Sequence, residues 1–128
     1  MHGTDQVHGK FKVFVGALDD DATPGSLGAQ IAAWVAHQGV AAKSIGVEYL
    51  EASKKLVLSL GYRNDGDYHP VKLTTAKVGN IGELGNADTT RLEEAMAKAS
   101  AAVTDIICHE LYITDEGDLL MVLMSVAG

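Results

Sequence analysis

The hydrophobic pattern changes period several times along the chain, and each change marks an element. Over residues 11–18, Phe11, Val13, Val15 and Ala17 alternate with Lys12, Phe14, Gly16 and Leu18, the two-residue period of a strand. Leu27, Ile31, Trp34 and Val35 then recur at helical spacing, so a helix is expected over residues 24–38. Thr23 suits its N-cap, Pro24 its first position and Gly39 its end. Residues 44–51 and 56–62 alternate again around a turn at Ala52-Ser53 and are expected to form a hairpin. A polar, turn-rich break follows at residues 63–67.

The same order then recurs. A strand is expected over 70–78, with Val71 and Leu73 on one side and Ala76 and Val78 on the other. A glycine-rich loop at 79–85 leads to a helix beginning near Thr89 or Thr90, where Thr90 and Glu93 have capping-box spacing. Its apolar stripe is Leu92, Ala95, Met96, Ala99, Val103 and Ile106. Residues 105–126 form a second hairpin, turning at Asp115-Glu116-Gly117-Asp118 with Gly117 in a left-handed position. Its last arm is apolar at odd positions (Leu119, Met121, Leu123) and at even ones (Leu120, Val122, Met124, Val126), so it needs cover on both faces.

These elements define an α+β chain of duplicated β-α-β-β modules, with a mainly antiparallel sheet and two helices on one face. The expected organisation is a flexible tail over residues 1–10, then a single domain made of two halves, 11–63 and 68–128. Two short helices leave the other sheet face open. That face is expected to carry Phe14, Leu18, Leu50, Val57, Cys108, Tyr112 and several of Leu120, Val122 and Met124. An exposed apolar surface of this kind marks an interface or a ligand groove: either the sheet rolls toward a barrel and covers itself or another subunit covers it, and the expectation is a homo-oligomer, most simply a two-fold dimer.

The second half, with Val71-Lys72-Leu73, a loop, Leu92-Glu93-Glu94-Ala95-Met96-Ala97-Lys98-Ala99-Ser100 and a hairpin, resembles the strand-helix-strand-strand module of dodecins. The duplicated form resembles the gyrase-inhibitor-like effector-binding domains. The likeness covers about 60 residues and lies in the arrangement of elements, with no diagnostic motif. Dodecins stack flavin on a sheet tryptophan. The one tryptophan here, Trp34, falls in an expected helix, so flavin binding does not carry over and no cofactor is expected. The effector-binding domains place an acidic residue in an aromatic-lined pocket between their halves. By that resemblance Glu48 and Glu110, with Tyr49 and Tyr112, are the candidate ligand-binding residues.

Composition narrows the partners. The 128 residues are 47% hydrophobic, enough for a core, and carry a net charge of -7. Ten Lys and Arg against seventeen Asp and Glu argue against nucleic acid and against anionic membranes. No apolar run approaches the ~20 residues of a membrane-spanning helix, and the first ten residues lack the apolar stretch of a secretory signal. The single Cys108 has no internal disulfide partner, which fits a cytoplasmic location.

Candidate chemistry is sparse. Cys108, His109 and Glu110 are adjacent, but on a strand Cys108 and Glu110 share a face while His109 points the other way. Cys108 is expected to act as a small buried hydrophobe and His109 as a core-edge residue. Glu110, on a semi-apolar face, lines a pocket or lies at a rim. Asp19-Asp20-Asp21 lacks the spaced ligands of a calcium loop and suits the start of a helix. The loop at 79–85 has neither phosphate-binding glycine pattern, and Glu83 would repel a phosphate. Neither His37 nor His69 belongs to a zinc spacing, so no metal site is expected. The expected function is a non-catalytic binding or assembly protein. The alternatives are a small-molecule sensor or carrier with its site between the halves, or a small enzyme using Glu110 or His109 as acid or base.

Overall fold

The computed structural model describes residues 10–18, 26–82 and 89–127. The elements are β1 (Lys10–Ala17), α1 (Leu27–Gln38), β2 (Ala41–Leu50), β3 (Lys55–Arg63), β4 (Val71–Asn80), α2 (Thr90–Ala101), β5 (Ile106–Ile113) and β6 (Asp118–Val126). The α+β class and the repeated strand-helix-strand-strand order are thus present. The strands form two antiparallel three-stranded sheets, β1-β3-β2 and β4-β6-β5. In each, the last strand of the unit lies in the middle, paired with both others.

Each helix covers one face of the sheet in its own half. In the first half, Phe14 and Gly16 of β1 stand opposite Leu58 and Leu56 of β3, and Val47 and Ile45 of β2 stand opposite Leu58 and Leu60. Residues directly opposite share a face, so these make one inward surface. Leu27, Ile31 and Val35, one helical stripe, are fully buried in the same cluster. Gly16 is required there: a Cβ on it would come within 2.8 Å of the Leu27 side chain. Trp34 packs edge-on against Phe14 and Tyr62, at centroid distances of 6.1 and 4.9 Å. In the second half, α2 and the residue Val103 after it lay Leu92, Ala95, Met96, Ala99 and Val103 on Val78, Leu119, Met121 and Leu123.

The other face of β6 meets the first half. Leu120, Val122 and Met124, with Tyr112 and Val71, join the cluster that holds α1 and the inward face of β1-β3-β2. Helix α1 therefore packs on β1 and on β4, while β2 lies alongside β5. A Cβ on Gly28 would stand 3.6 Å from that of Leu73, a measure of how closely α1 approaches β4. The double-sided cover expected for β6 is observed: Leu119 to Ser125 are all buried.

This arrangement corrects the expected open face. Phe14, Tyr112, Leu120, Val122 and Met124 are in the core, because the face that α2 leaves uncovered is closed by α1 and the first sheet. The open face is the outward side of β1-β3-β2. It carries the other alternation of β1: Phe11 is 71% exposed, Val13 57% and Val15 47%, joined by Leu50 at 40%. Leu50 and the half-buried Val57 are the expected residues that do lie on it.

Local signals vary in reach. Gly39 ends α1 in a left-handed conformation (φ 64°), its N–H donating to the Val35 carbonyl at 2.9 Å. Gly117 takes φ 82° in the second hairpin turn, as its sequence position requires. Helix α1 starts behind Ser26; Thr23 and Pro24 lie outside the described residues, as do the expected tail up to residue 9 and Asp19-Asp20-Asp21. Helix α2 starts behind Thr89, whose hydroxyl donates to the Glu93 carboxylate at 2.6 Å. Ile106 belongs to β5, not to the stripe of α2.

Candidate functional site

The outward face of β1-β3-β2 is built by alternation. Phe11, Val13, Val15 and Ala17 stand opposite Gly61, Ser59, Val57 and Lys55. Beyond them on β2 come Ser44, Gly46, Glu48 and Leu50. The middle of the face is low, made of Ser44, Gly46, Ser59 and Gly61. The exposed apolar groups are concentrated on β1, with Leu50 at the far corner. No described helix lies over it.

The four residues nominated by resemblance fall in different surroundings. Glu48 is exposed on this outward face. Tyr49, its neighbour, points to the opposite side of β2 and is half-buried. Its hydroxyl donates to Asp115 Oδ1, and Lys54 forms an ion pair with Asp115 Oδ2. Asp115 thereby ties the turn after β2 to the turn after β5. Tyr112 is 4% exposed, inside the core. Glu110 shares its face and is half-buried opposite Val122. Tyr49, Glu110 and Tyr112 thus lie on strands that run side by side, on the faces turned toward the shared core, and Glu48 is apart from them. Nothing in their spacing signals Asp115, which meets Tyr49 only through the meeting of two turns.

The adjacent trio divides as strand alternation demands. A bulge between Ile106 and Cys108 precedes it, and from Cys108 onward the register is regular, with Cys108 opposite Met124 and His109 opposite Leu123. His109 is exposed on the other face from Cys108 and Glu110. The Cys108 thiol is raised to about 11, first by burial and further by the nearby Glu110 carboxylate, against a hydrogen bond with the Ile45 backbone. A thiol held protonated in this way is a poor nucleophile. Among the described residues, no three His, Cys, Asp or Glu side chains are grouped as metal ligands.

A pocket of about 150 Å³ opens where the two halves join. Its floor is Ala41, Ala42, Val71, Ile107 and Val126, and its rim carries Lys43, Asp67 and His69. None of Glu48, Tyr49, Glu110 or Tyr112 lines it. The composition of residues 63–67 points to a connection between halves, but not to a cavity beside it, because the floor comes from four separate strands.

A further polar cluster closes the β5–β6 end. Asn80 donates to Asp118 Oδ1 at 3.0 Å and to the Glu116 carbonyl at 3.3 Å, and Lys77 pairs with Asp118 at 3.0 Å. These contacts hold the Asp118 carboxyl below its ordinary range, the Asn80 hydrogen bond most of all. All its donors are protein groups, so its role is to fasten β4 to the turn.

The chain matches no family model, no curated protein and no solved structure. No helix among the described residues is long and apolar enough to cross a membrane.

Proposed function

We propose that this chain is a non-catalytic binding and assembly protein that works as a homo-oligomer, most simply a two-fold dimer, through the outward face of β1-β3-β2. The observation that carries the reading is the exposed row Phe11, Val13 and Val15 beside Leu50, in a chain that covers both faces of the middle strand of its other sheet. Contiguous exposed apolar groups of this kind are typical of interaction surfaces. The protonated Cys108 and the separation of His109 from Glu110 favour a non-catalytic role over the use of either residue as acid or base. A cytoplasmic location belongs to the same proposal, since an unpaired cysteine suits a reducing compartment.

A second reading, a small-molecule sensor or carrier, is favoured by the pocket between the halves. Its rim offers both charges, and its volume of about 150 Å³ suits a small polar molecule rather than a large cofactor.

Native mass spectrometry tests both. The expected spectrum shows dimers without added mass, and the double variant Phe11→Ser, Val13→Lys reduces them to monomers while keeping its circular dichroism. A wild-type monomer at micromolar concentration overturns the assembly reading. A discrete added mass, lost on Lys43→Ala with Asp67→Ala, supports the pocket reading instead.

A further inference from the structure

The uncovered face ends at an open edge. Among the described residues β1 pairs only with β3, so one side of its backbone meets no other strand. Such an edge presents N–H and C=O groups that a further strand can pair, and proteins usually blunt it with bulges, charges or proline. The other three edge strands are interrupted: β2 between Ala42 and Ser44, β4 between Lys77 and Gly79, β5 between Ile106 and Cys108. Strand β1 is not. Its ladder runs unbroken from Lys10 opposite Tyr62 to Ala17 opposite Lys55, and it holds no proline. Its charges are confined to Lys10 and Lys12, and the Lys12 ammonium lies 5.9 Å from the Trp34 ring, drawn over its own chain.

We propose that β1 pairs antiparallel with β1 of a second copy, about a two-fold axis at Val13, so that two three-stranded sheets become one of six strands. The proposal rests on the reading above that the chain self-associates through this sheet, and it places the contact along the β1 edge of the apolar face, where Phe11, Val13 and Val15 lie, rather than across the whole face. The residues of β1 select its own copy as the occupant. With the axis at Val13, Phe11 stands across from the second copy's Val15, and Val13 stands across from its own counterpart, all on the outward face. On the inward face Lys12 stands across from the second copy's Phe14, and Lys10 across from Gly16. Aromatic–aliphatic and cation–aromatic pairs are favourable across strands, and no lysine opposes a lysine. A parallel arrangement would set Lys10 and Lys12 beside their own counterparts, a like-charge pairing that destabilises. Moving the axis to Phe14 would place Phe11 across from Ala17 and Lys12 across from Gly16, losing both kinds of pair. Stacking face on face would bury mostly Ser44, Gly46, Ser59 and Gly61, whereas the exposed apolar groups lie along the edge strand.

The test uses the full chain with Cys108→Ser, so that introduced thiols are the only ones. Val13→Cys is compared with Val57→Cys, which lies on the same face but one strand further in. Edge pairing brings the two Val13 positions together and keeps the two Val57 positions three strands apart. The expected result is a covalent dimer on mild oxidation of the Val13→Cys chain and none from Val57→Cys. Amide exchange on the unmodified chain gives a second readout: raising protein concentration slows the amides of β1 that point away from β3. Dimers that cross-link through Val57→Cys, without slowed β1 amides, overturn edge pairing and leave self-association standing. A monomer in solution overturns both.

Discussion

The thiol of Cys108 is governed by its setting rather than by its own chemistry. Half-burial beside Glu110 raises it to about 11, above the ordinary thiol value near 8.5. The protonated form therefore carries the native-state preference. Its contribution to stability is complete below the ordinary thiol value and is lost as pH rises toward 11. Alkylation of the native chain should be slow at neutral pH, with a rate profile that inflects near 11 and moves down to the ordinary range once the chain is unfolded. A native inflection in the ordinary range would show the thiol to be open. At this scale the sequence is a partial guide. The division of Cys108 and Glu110 from His109 is legible, because alternation alone decides it. Which alternation of β1 faces inward is not. Phe11, Val13 and Val15 are the more apolar set, yet Phe14 and Gly16 are inside, because Leu27 needs the space that Gly16 leaves. The link from Tyr49 to Asp115 is equally hidden, since it joins two turns far apart in the chain.

Among the described residues, all six strands and both helices are legible from period, with ends that move by a few residues. The pairing of faces between the two halves is less so. Tyr49 and Tyr112 both precede their turns, but Tyr49 stands opposite Leu56 on the side that α1 covers, whereas Tyr112 stands opposite Leu120, away from α2. The second hairpin loop is one residue longer, and a one-residue shift exchanges the faces of a strand. Strand β6 is insensitive to such a shift because both its faces are buried. Met121→Ala and Met124→Ala, one on each side, should therefore each lower stability by about 2–5 kcal/mol in denaturant unfolding. A loss at only one of them would mean that one face of β6 is open to solvent.

For the whole molecule, the deciding feature is that α1 serves both halves. Its buried stripe belongs to the cluster that also contains Leu120, Val122 and Met124, so neither half completes a core alone. Unfolding should be a single transition despite the duplicated order. Trp34 fluorescence, which reports the first half, should follow the same denaturant curve as far-ultraviolet circular dichroism, and Met124→Ala in the second half should shift both together. Two separated curves would show that the halves fold independently. The candidate surface belongs to this scale as well. That some sheet face would be left uncovered is legible from the shortage of helices. Its location on β1 is not, because it depends on how the two sheets share α1.

The position of each middle strand also bears on how the protein is made. In both sheets the central strand, β3 or β6, is the last of its unit to leave the ribosome. Until it arrives, the two strands it will join have no ladder between them. Synthesis should thus proceed through two abrupt closures. The first comes with β3, after which the side of α1 that awaits β4 is bare. The second comes with β6, when the interior is sealed. The interval between them is the period in which a nascent chain of this protein would be most exposed to chaperones and to misassociation with its neighbours.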